Sequence, residues 1–214
     1  MKTINGFTAG GLLLSLCLFC SSADADTPSE RPIGLLALTI GAVAWDDLGN
    51  VKLADGSGFD SVGYSVALAG HLRVTRWGRA EVLVGADIGT WGTQSDLQFF
   101  FDSQTATFVT PSLRFVFGKV SGRYLIIETG AGWYKNEFSE SACDAGGNCV
   151  DLSGFSTDES FGGYVGIAAA PSSWFFVEAQ AHLVEFDEID DPNSGNFSLK
   201  GPIYMLNIGI KFGR

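Results

Sequence analysis

The stretch Val62–Ile88, VGYSVALAGHLRVTRWGRAEVLVGADI, reads as two strands joined by a short turn. Val62, Tyr64, Val66, Leu68, Gly70, Leu72 and Val74 share one face. Gly63, Ser65, Ala67, Ala69, His71, Arg73 and Thr75 share the other. Period two over this length marks a two-faced strand rather than a helix. Arg76, Trp77, Gly78 and Arg79 supply the turn, and the return strand sets Val82, Val84, Ala86 and Ile88 against Glu81, Leu83, Gly85, Asp87 and Gly89.

Which face lies inside decides the fold. A soluble barrel packs its bulky apolar face into the core and turns its polar face to water. In a small membrane barrel the apolar face meets lipid, and small or polar side chains fill the interior. Here the second face mixes Gly and Ala with isolated charges, whereas the first is a band of large apolar groups. The strand is also long enough, since about 9–11 residues span a bilayer. The hairpin therefore favours a membrane barrel, with a long hairpin of a soluble antiparallel barrel as the alternative.

The N-terminus agrees with export. Lys2, an apolar run from Gly10 to Phe19, and Ser21-Ser22-Ala23-Asp24-Ala25 form the n-region, h-region and cleavage site of a secretory signal peptide. Cleavage is expected after Ala25, leaving residues 26–214 as one domain. The run is too short for a transmembrane helix. Cys17 and Cys20 follow the bulky Leu16 and Phe19, whereas lipid attachment wants a small residue there. The chain carries a net charge of −11, which argues against nucleic acid. Only 17% of its 214 residues are charged, and 28 are glycine, a composition of many short strands and turns.

The rest of the chain repeats the hairpin's grammar. Ile33–Trp45 is a first strand with both faces apolar or small. Asp46–Asp60 is a polar loop, and Thr90–Gln104 a long connection holding Phe99-Phe100-Phe101. Strand four, about Thr105–Gly118, places Val109, Pro111, Leu113, Phe115 and Phe117 opposite Phe108, Thr110, Ser112, Arg114 and Val116. Pro111 lacks an amide hydrogen, so the ladder should be irregular there. After a tight turn at Lys119–Gly122, strand five sets Leu125, Ile127, Thr129, Ala131 and Trp133 against Ile126, Glu128, Gly130, Gly132 and Tyr134. Asn136–Asp158 is the longest loop. Strand six is Ser160–Ala170, and strand seven sets Phe175, Val177, Ala179, Ala181 and Leu183 against Phe176, Glu178, Gln180 and His182. An acidic loop, Glu185–Lys200, leads to the last strand, where Pro202, Tyr204, Leu206, Ile208, Ile210 and Phe212 alternate with Ile203, Met205, Asn207, Gly209 and Lys211.

Long loops thus follow strands one, three, five and seven, and tight turns follow two, four and six, an asymmetry expected of an outer-membrane barrel. The long loops hold most of the acids, while Arg76, Arg79, Lys119 and Arg123 crowd the turns. All five tryptophans lie at strand ends, Trp45, Trp91 and Trp133 by the loops and Trp77 and Trp174 by the turns, as girdles of interfacial aromatics require. The expected fold is all-β, an eight-stranded antiparallel up-and-down transmembrane β-barrel.

On three patterns the chain resembles the small eight-stranded outer-membrane barrels of the OmpA-like and opacity/adhesin-like type. They are Glu128-x-Gly130-x-Gly132-x-Tyr134, Phe161-Gly162-Gly163-Tyr164-Val165-Gly166 running into Phe176-Val177-Glu178-Ala179, and the alternating terminal strand. That group includes structural barrels, adhesins, narrow pores and a few lipid-modifying enzymes, so the resemblance implies architecture more than activity.

The residues offer little for catalysis. His182 and Glu178 share a face but lie roughly 13 Å apart along a strand. His71 also faces the interior, and no His-x-Ser pair accompanies either histidine, so no enzyme is expected. Cys143 and Cys149 lack further metal ligands nearby, and in an oxidising envelope they read as a loop-closing disulfide. Asp187-Glu188-Ile189-Asp190-Asp191 could hold a divalent cation, though such runs are more often solvated faces. Phe99–Phe101 is either an adhesive patch or a fold-back onto the rim. No cofactor is expected.

Inside, Arg73, Glu81, Asp87, Arg114, Glu128, Glu178, His182 and Lys211 should form a charged network that plugs the lumen, because an isolated charge there would be costly. A turn centred on Ser121 sets Arg114 opposite Glu128, and counting around Trp77 brings Arg73 opposite or diagonal to Glu81. The partners implied are outer-membrane lipid and an extracellular or host-surface ligand of the loops, with no nucleic acid. The alternatives are a narrow channel for small solutes and a soluble periplasmic barrel around an apolar ligand. Closed barrels have no free edges and resist detergent unfolding. The protein should therefore fractionate with the bacterial outer membrane and migrate differently on a gel when unheated; recovery in the soluble periplasmic fraction would refute the membrane placement.

Overall fold

A computed structural model describes residues 34–50, 61–93, 104–118, 123–139, 141–143, 149–151, 154–189 and 197–212. The signal-peptide region, the Phe99–Phe101 cluster, the Lys119–Gly122 turn, and Asp190 and Asp191 lie outside these residues. The strands are β1 (Gly34–Ala44), β2 (Val62–Trp77), β3 (Ala80–Thr93), β4 (Gln104–Gly118), β5 (Tyr124–Phe138), β6 (Ser141–Cys143), β7 (Cys149–Asp151), β8 (Asp158–Ala170), β9 (Phe175–Leu183), β10 (Glu185–Ile189), β11 (Phe197–Lys200) and β12 (Ile203–Phe212). A short helix, α1 (Asp46–Gly49), follows β1.

Eight of these strands close an antiparallel barrel in the order β1-β12-β9-β8-β5-β4-β3-β2. Closure rests on β1, whose Leu38 stands opposite Ile210 on one side and Leu68 on the other. Every spanning strand therefore has both edges paired, the arrangement that lets backbone amides go without water.

Alternation sorts the two surfaces. Leu36, Leu38, Ile40, Leu68, Leu72, Ile88, Ile127, Val165, Leu206 and Ile208 are exposed around the outside. Thr39, Ser65, His71, Asp87, Arg114, Glu128, Glu178, His182 and Asn207 are buried inside. The soluble alternative requires the reverse facing of every strand. The ambiguous first strand resolves as well: Leu35, Ala37, Thr39 and Val43 point inward and the leucines and isoleucine between them outward.

The β2–β3 hairpin is tighter than expected, with Trp77 paired to Ala80 and only Gly78 and Arg79 between them. Gly78 sits at φ +61°, which glycine adopts without strain. A bulge between Arg73 and Thr75 shifts the register, so Arg76 opposes Glu81 and Arg73 lies diagonal to it. Near Pro111 the β4–β5 ladder skips from Val109–Trp133 to Ser112–Gly130 without changing register.

Two expectations need correction. Trp133, Trp77 and Trp174 are 55%, 73% and 61% exposed, as girdle residues are, but Trp45 and Trp91 are fully buried in the interior. Their parity explains it: Trp91 shares the inward set of Asp87, and Trp45 continues that of Val43. Nor is Glu185–Lys200 simply an acidic loop. Its ends pair as the β10–β11 hairpin, which buries Phe186, Ile189 and Leu199 in a cluster with Trp45, Trp91, Phe108 and Tyr134. Leu48 of α1 joins the same cluster.

The longest loop also contains a ladder, β6 with β7, in which Cys143 directly opposes Cys149. Opposed residues in an antiparallel pair have Cα atoms about 4.5–5.5 Å apart, within the roughly 4.4–6.8 Å that a disulfide bridges. The bond expected from the sequence is tested by alkylation without reductant followed by mass spectrometry, in which both thiols should be protected and two alkylated cysteines would refute it.

Candidate functional site

The interior is stacked in three tiers. At the turn end, Leu35, Ala37, Ala69, Leu83, Val116, Ile126 and Phe176 belong to one buried apolar cluster. At the loop end, the tryptophan-centred cluster of β1, β3, β4, β5 and the β10–β11 hairpin forms another. Between them lies the polar tier.

Its centre is Arg114 on β4, 1% exposed. In the β4–β5 ladder Arg114 stands opposite Glu128, the register of a turn centred on Ser121. Its Nη2 donates to Asp87 Oδ1 at 3.0 Å. Its Nε lies 2.8 Å from Glu128 Oε2, close in distance but turned off hydrogen-bond geometry. Glu178 Oε2 is 3.7 Å from Nη2. One guanidinium thus serves three carboxylates from β3, β5 and β9, which the inward parity of each strand delivers to the same level.

Neutral donors add to the shell, although Arg114 Nη1 and Glu178 Oε2 make no hydrogen bond. Gln180 Nε2 donates to Glu128 Oε1 at 3.0 Å. Asn207 Nδ2 donates to Glu178 Oε1 at 3.2 Å, while Ser65 Oγ donates to Asn207 Oδ1 at 2.6 Å. Tyr164 donates its hydroxyl proton to Asp87 Oδ2, and its ring stacks on His182 with centroids 5.0 Å apart. His182 Nδ1 and the Tyr134 hydroxyl are 3.0 Å apart, and its Nε2 is 3.1 Å from Gln180 Oε1. Space for this packing comes from glycine. A Cβ on Gly166 would approach Glu128 Oε1 to 2.6 Å, and one on Gly130 would strike the Tyr164 ring.

The remaining expected members lie elsewhere. Glu81 Oε1 accepts from Arg73 Nη1 at 3.4 Å and from Arg76 Nη2 at 3.1 Å near the turn end. Lys211 lies over the Tyr124 ring, 4.4 Å from its centroid. The eight charged and histidine positions thus divide into a central cluster and a basal group. Ser65, Ser112, Gln180 and Asn207 join the polar tier without having been assigned to the network, though every one has inward parity.

Ser112, His71 and Asp87 come together in a way the strands did not foretell. His71 Nε2 is 2.7 Å from Ser112 Oγ and 3.9 Å from Asp87 Oδ2. Both contacts fall on the same nitrogen, whereas a triad that activates serine uses the two ring nitrogens separately. All three residues are buried in the polar tier. Among the described residues, no group of three or more His, Cys, Asp or Glu is placed to hold a metal. Of the acidic run, Asp187 is exposed and Ile189 buried. Nearby, a hydrogen bond to Lys200 holds the Glu185 carboxyl below its usual range.

No family model matches the chain, and no curated protein does. Among solved structures it is similar to neisserial surface protein A (NspA), with 14% identity, 85% of this chain and 97% of that one covered, and a TM-score of 0.44. It is also similar to Ail, the attachment invasion locus protein of Yersinia pestis, with 16% identity, coverage of 84% and 99%, and a TM-score of 0.42. At so low an identity and superposition score, the eight-stranded architecture rests on the chain's own ladders.

Removing one partner of a buried ion pair costs about 3–5 kcal/mol, because the other charge stays buried and unpaired. Arg114→Leu should therefore lower the stability of the folded barrel by about that much, read from the urea midpoint of the unheated gel band. Glu178→Gln, which retains an acceptor oxygen for Asn207 Nδ2 and relieves carboxylate repulsion, should shift it far less. Equal shifts for the two variants would show that Arg114 does not hold the cluster.

Proposed function

We propose that the protein is an outer-membrane barrel with a plugged lumen, serving a structural or surface-interaction, adhesin-like role through acidic loops. The observation that carries the plug is the sequence of tiers along the interior: an apolar cluster, the Arg114 ion cluster, then the aromatic cluster of Trp45, Trp91, Phe108 and Tyr134. Eight strands leave an interior about wide enough for side chains. Here those side chains are buried and bonded to one another across the barrel. The apolar exterior supports residence in a bilayer, since contiguous apolar surface of this extent does not persist in water.

The loop end supports contact with an outside ligand. Asp46, Asp47, Asp158, Glu159 and Asp187 gather there, while Lys135 and Lys200 are already held by Glu137 and Glu185. Phe138, Phe155 and Phe197, from three separate segments, form a half-buried aromatic group beside them, with Phe138 and Phe155 4.9 Å apart. An aromatic group within a polar rim is the composition of protein interaction surfaces.

Planar-bilayer recording distinguishes the plugged barrel from the narrow channel. The purified protein should insert without producing stable single-channel steps. Discrete, ohmic conductance that persists after insertion would overturn the plug and favour the channel.

A further inference from the structure

We propose that the β10–β11 hairpin is a cap that opens from the barrel mouth as one unit while the barrel stays closed, held down by a clasp at Lys200. This rests on the plugged lumen above and goes beyond it, because it divides the plug into a fixed part and a part that lifts.

The ladders make the division. Each of the eight barrel strands is paired on both edges, whereas β10 and β11 pair with each other in a two-stranded sheet of their own. A lone hairpin is marginally stable in water, so the position of this one depends on what it packs against. Its attachment to the barrel is narrow. Only Val184 separates β10 from β9, and only Gly201 and Pro202 separate β11 from β12. The Gly201 amide donates to the Val184 carbonyl at 2.7 Å and closes the base. A Cβ at Gly201 would come within 2.9 Å of the His182 carbonyl oxygen, so glycine lets the two legs of the hairpin approach this closely.

Two holds keep the cap in place. One is apolar: Phe186, Ile189 and Leu199 are buried in the loop-end cluster, with the Phe186 ring 5.9 Å from that of Trp45. The other is polar and falls on a single residue. The Lys200 amide donates to Asp47 Oδ2 at 2.8 Å, and the Lys200 carbonyl accepts from Trp45 Nε1 at 2.9 Å. Both partners come from the segment that leaves β1, so Trp45 and Asp47 occupy the outer edge of β11 where a further strand would pair. The Asp47 bond is exposed to solvent, and water competes there for both groups. Lifting the cap breaks these contacts and the apolar packing but no bond of the barrel ladders. Local openings of this kind lie below global unfolding in free energy. Trp45, Trp91, Phe108 and Tyr134 stay with the barrel, and the Arg114 cluster and the turn-end apolar tier remain in place beneath them. Opening therefore bares an aromatic recess at the mouth without making a pore.

Hydrogen–deuterium exchange of the micelle-bound protein, read by mass spectrometry, tests the cap. In the wild type the amides of 185–189 and 197–200 should exchange together and several-fold faster than those of β5 and β8. Asp47→Ala should speed the hairpin several-fold further and leave β5 and β8 unchanged, whereas Asp47→Asn, which keeps an acceptor oxygen, should stay near the wild type. Trp45→Phe, which keeps a ring but loses the donor, should act as Asp47→Ala does and serves if that variant fails to fold. Hairpin amides as protected as those of β5 in the wild type overturn the cap. So do clasp variants that leave the hairpin unchanged or speed the barrel strands equally. Stable single-channel conductance of the wild type overturns the plug instead and leaves the exchange result standing.

Discussion

A guanidinium shared by three carboxylates is the constraint around which this barrel is built. Transferred from water, each ion of the cluster carries a desolvation cost of several kcal/mol, and mutual attraction offsets it only with close geometry and bonded lone pairs. That requirement reaches well beyond Arg114. It explains glycine at 166, where a side chain would strike Glu128, and donors at Gln180 and Asn207 aimed at the carboxylates. Tyr164 meets two demands at once, its hydroxyl on Asp87 and its ring against His182.

The apolar tiers above and below make the cluster possible. By excluding water they strengthen each ion pair, and by the same token they make a missing partner more costly. The exterior has the inverse arrangement, with apolar side chains outward and every spanning strand paired on both edges. Stability in such a barrel comes from closed ladders and from charges paired between two packed apolar tiers. Replacing an outward leucine by another apolar residue should therefore matter less than any change at level with Arg114.

Much of this was legible because a strand has period two. Parity alone assigned the facing of Asp87, Arg114, Glu128, Glu178 and His182, and a tight turn after β4 set Arg114 opposite Glu128. Adjacent strands are within reach of such counting. Contacts between strands that are not neighbours are not, since stagger and curvature decide which levels meet. Hence Arg114 with Glu178, and Tyr164 with Asp87, emerge only from the closed barrel. The tryptophans show the opposite error, position along a strand overriding face, although the parity of Trp91 with Asp87 was there to be counted. The β10–β11 hairpin was hidden by Glu185 and Asp187, which occupy outward positions on either side of the buried Phe186.

That hairpin divides its residues by obligation. Phe186, Ile189 and Leu199 are anchored in the barrel mouth, whereas Glu185, Asp187, Ser198 and Lys200 are exposed. The two sets alternate along the same few residues, so inheritance can treat them separately. A substitution at an outward position leaves the buried anchor and the barrel's ladders untouched. The exposed face of the hairpin can thus vary in chemistry on a scaffold that itself tolerates little change.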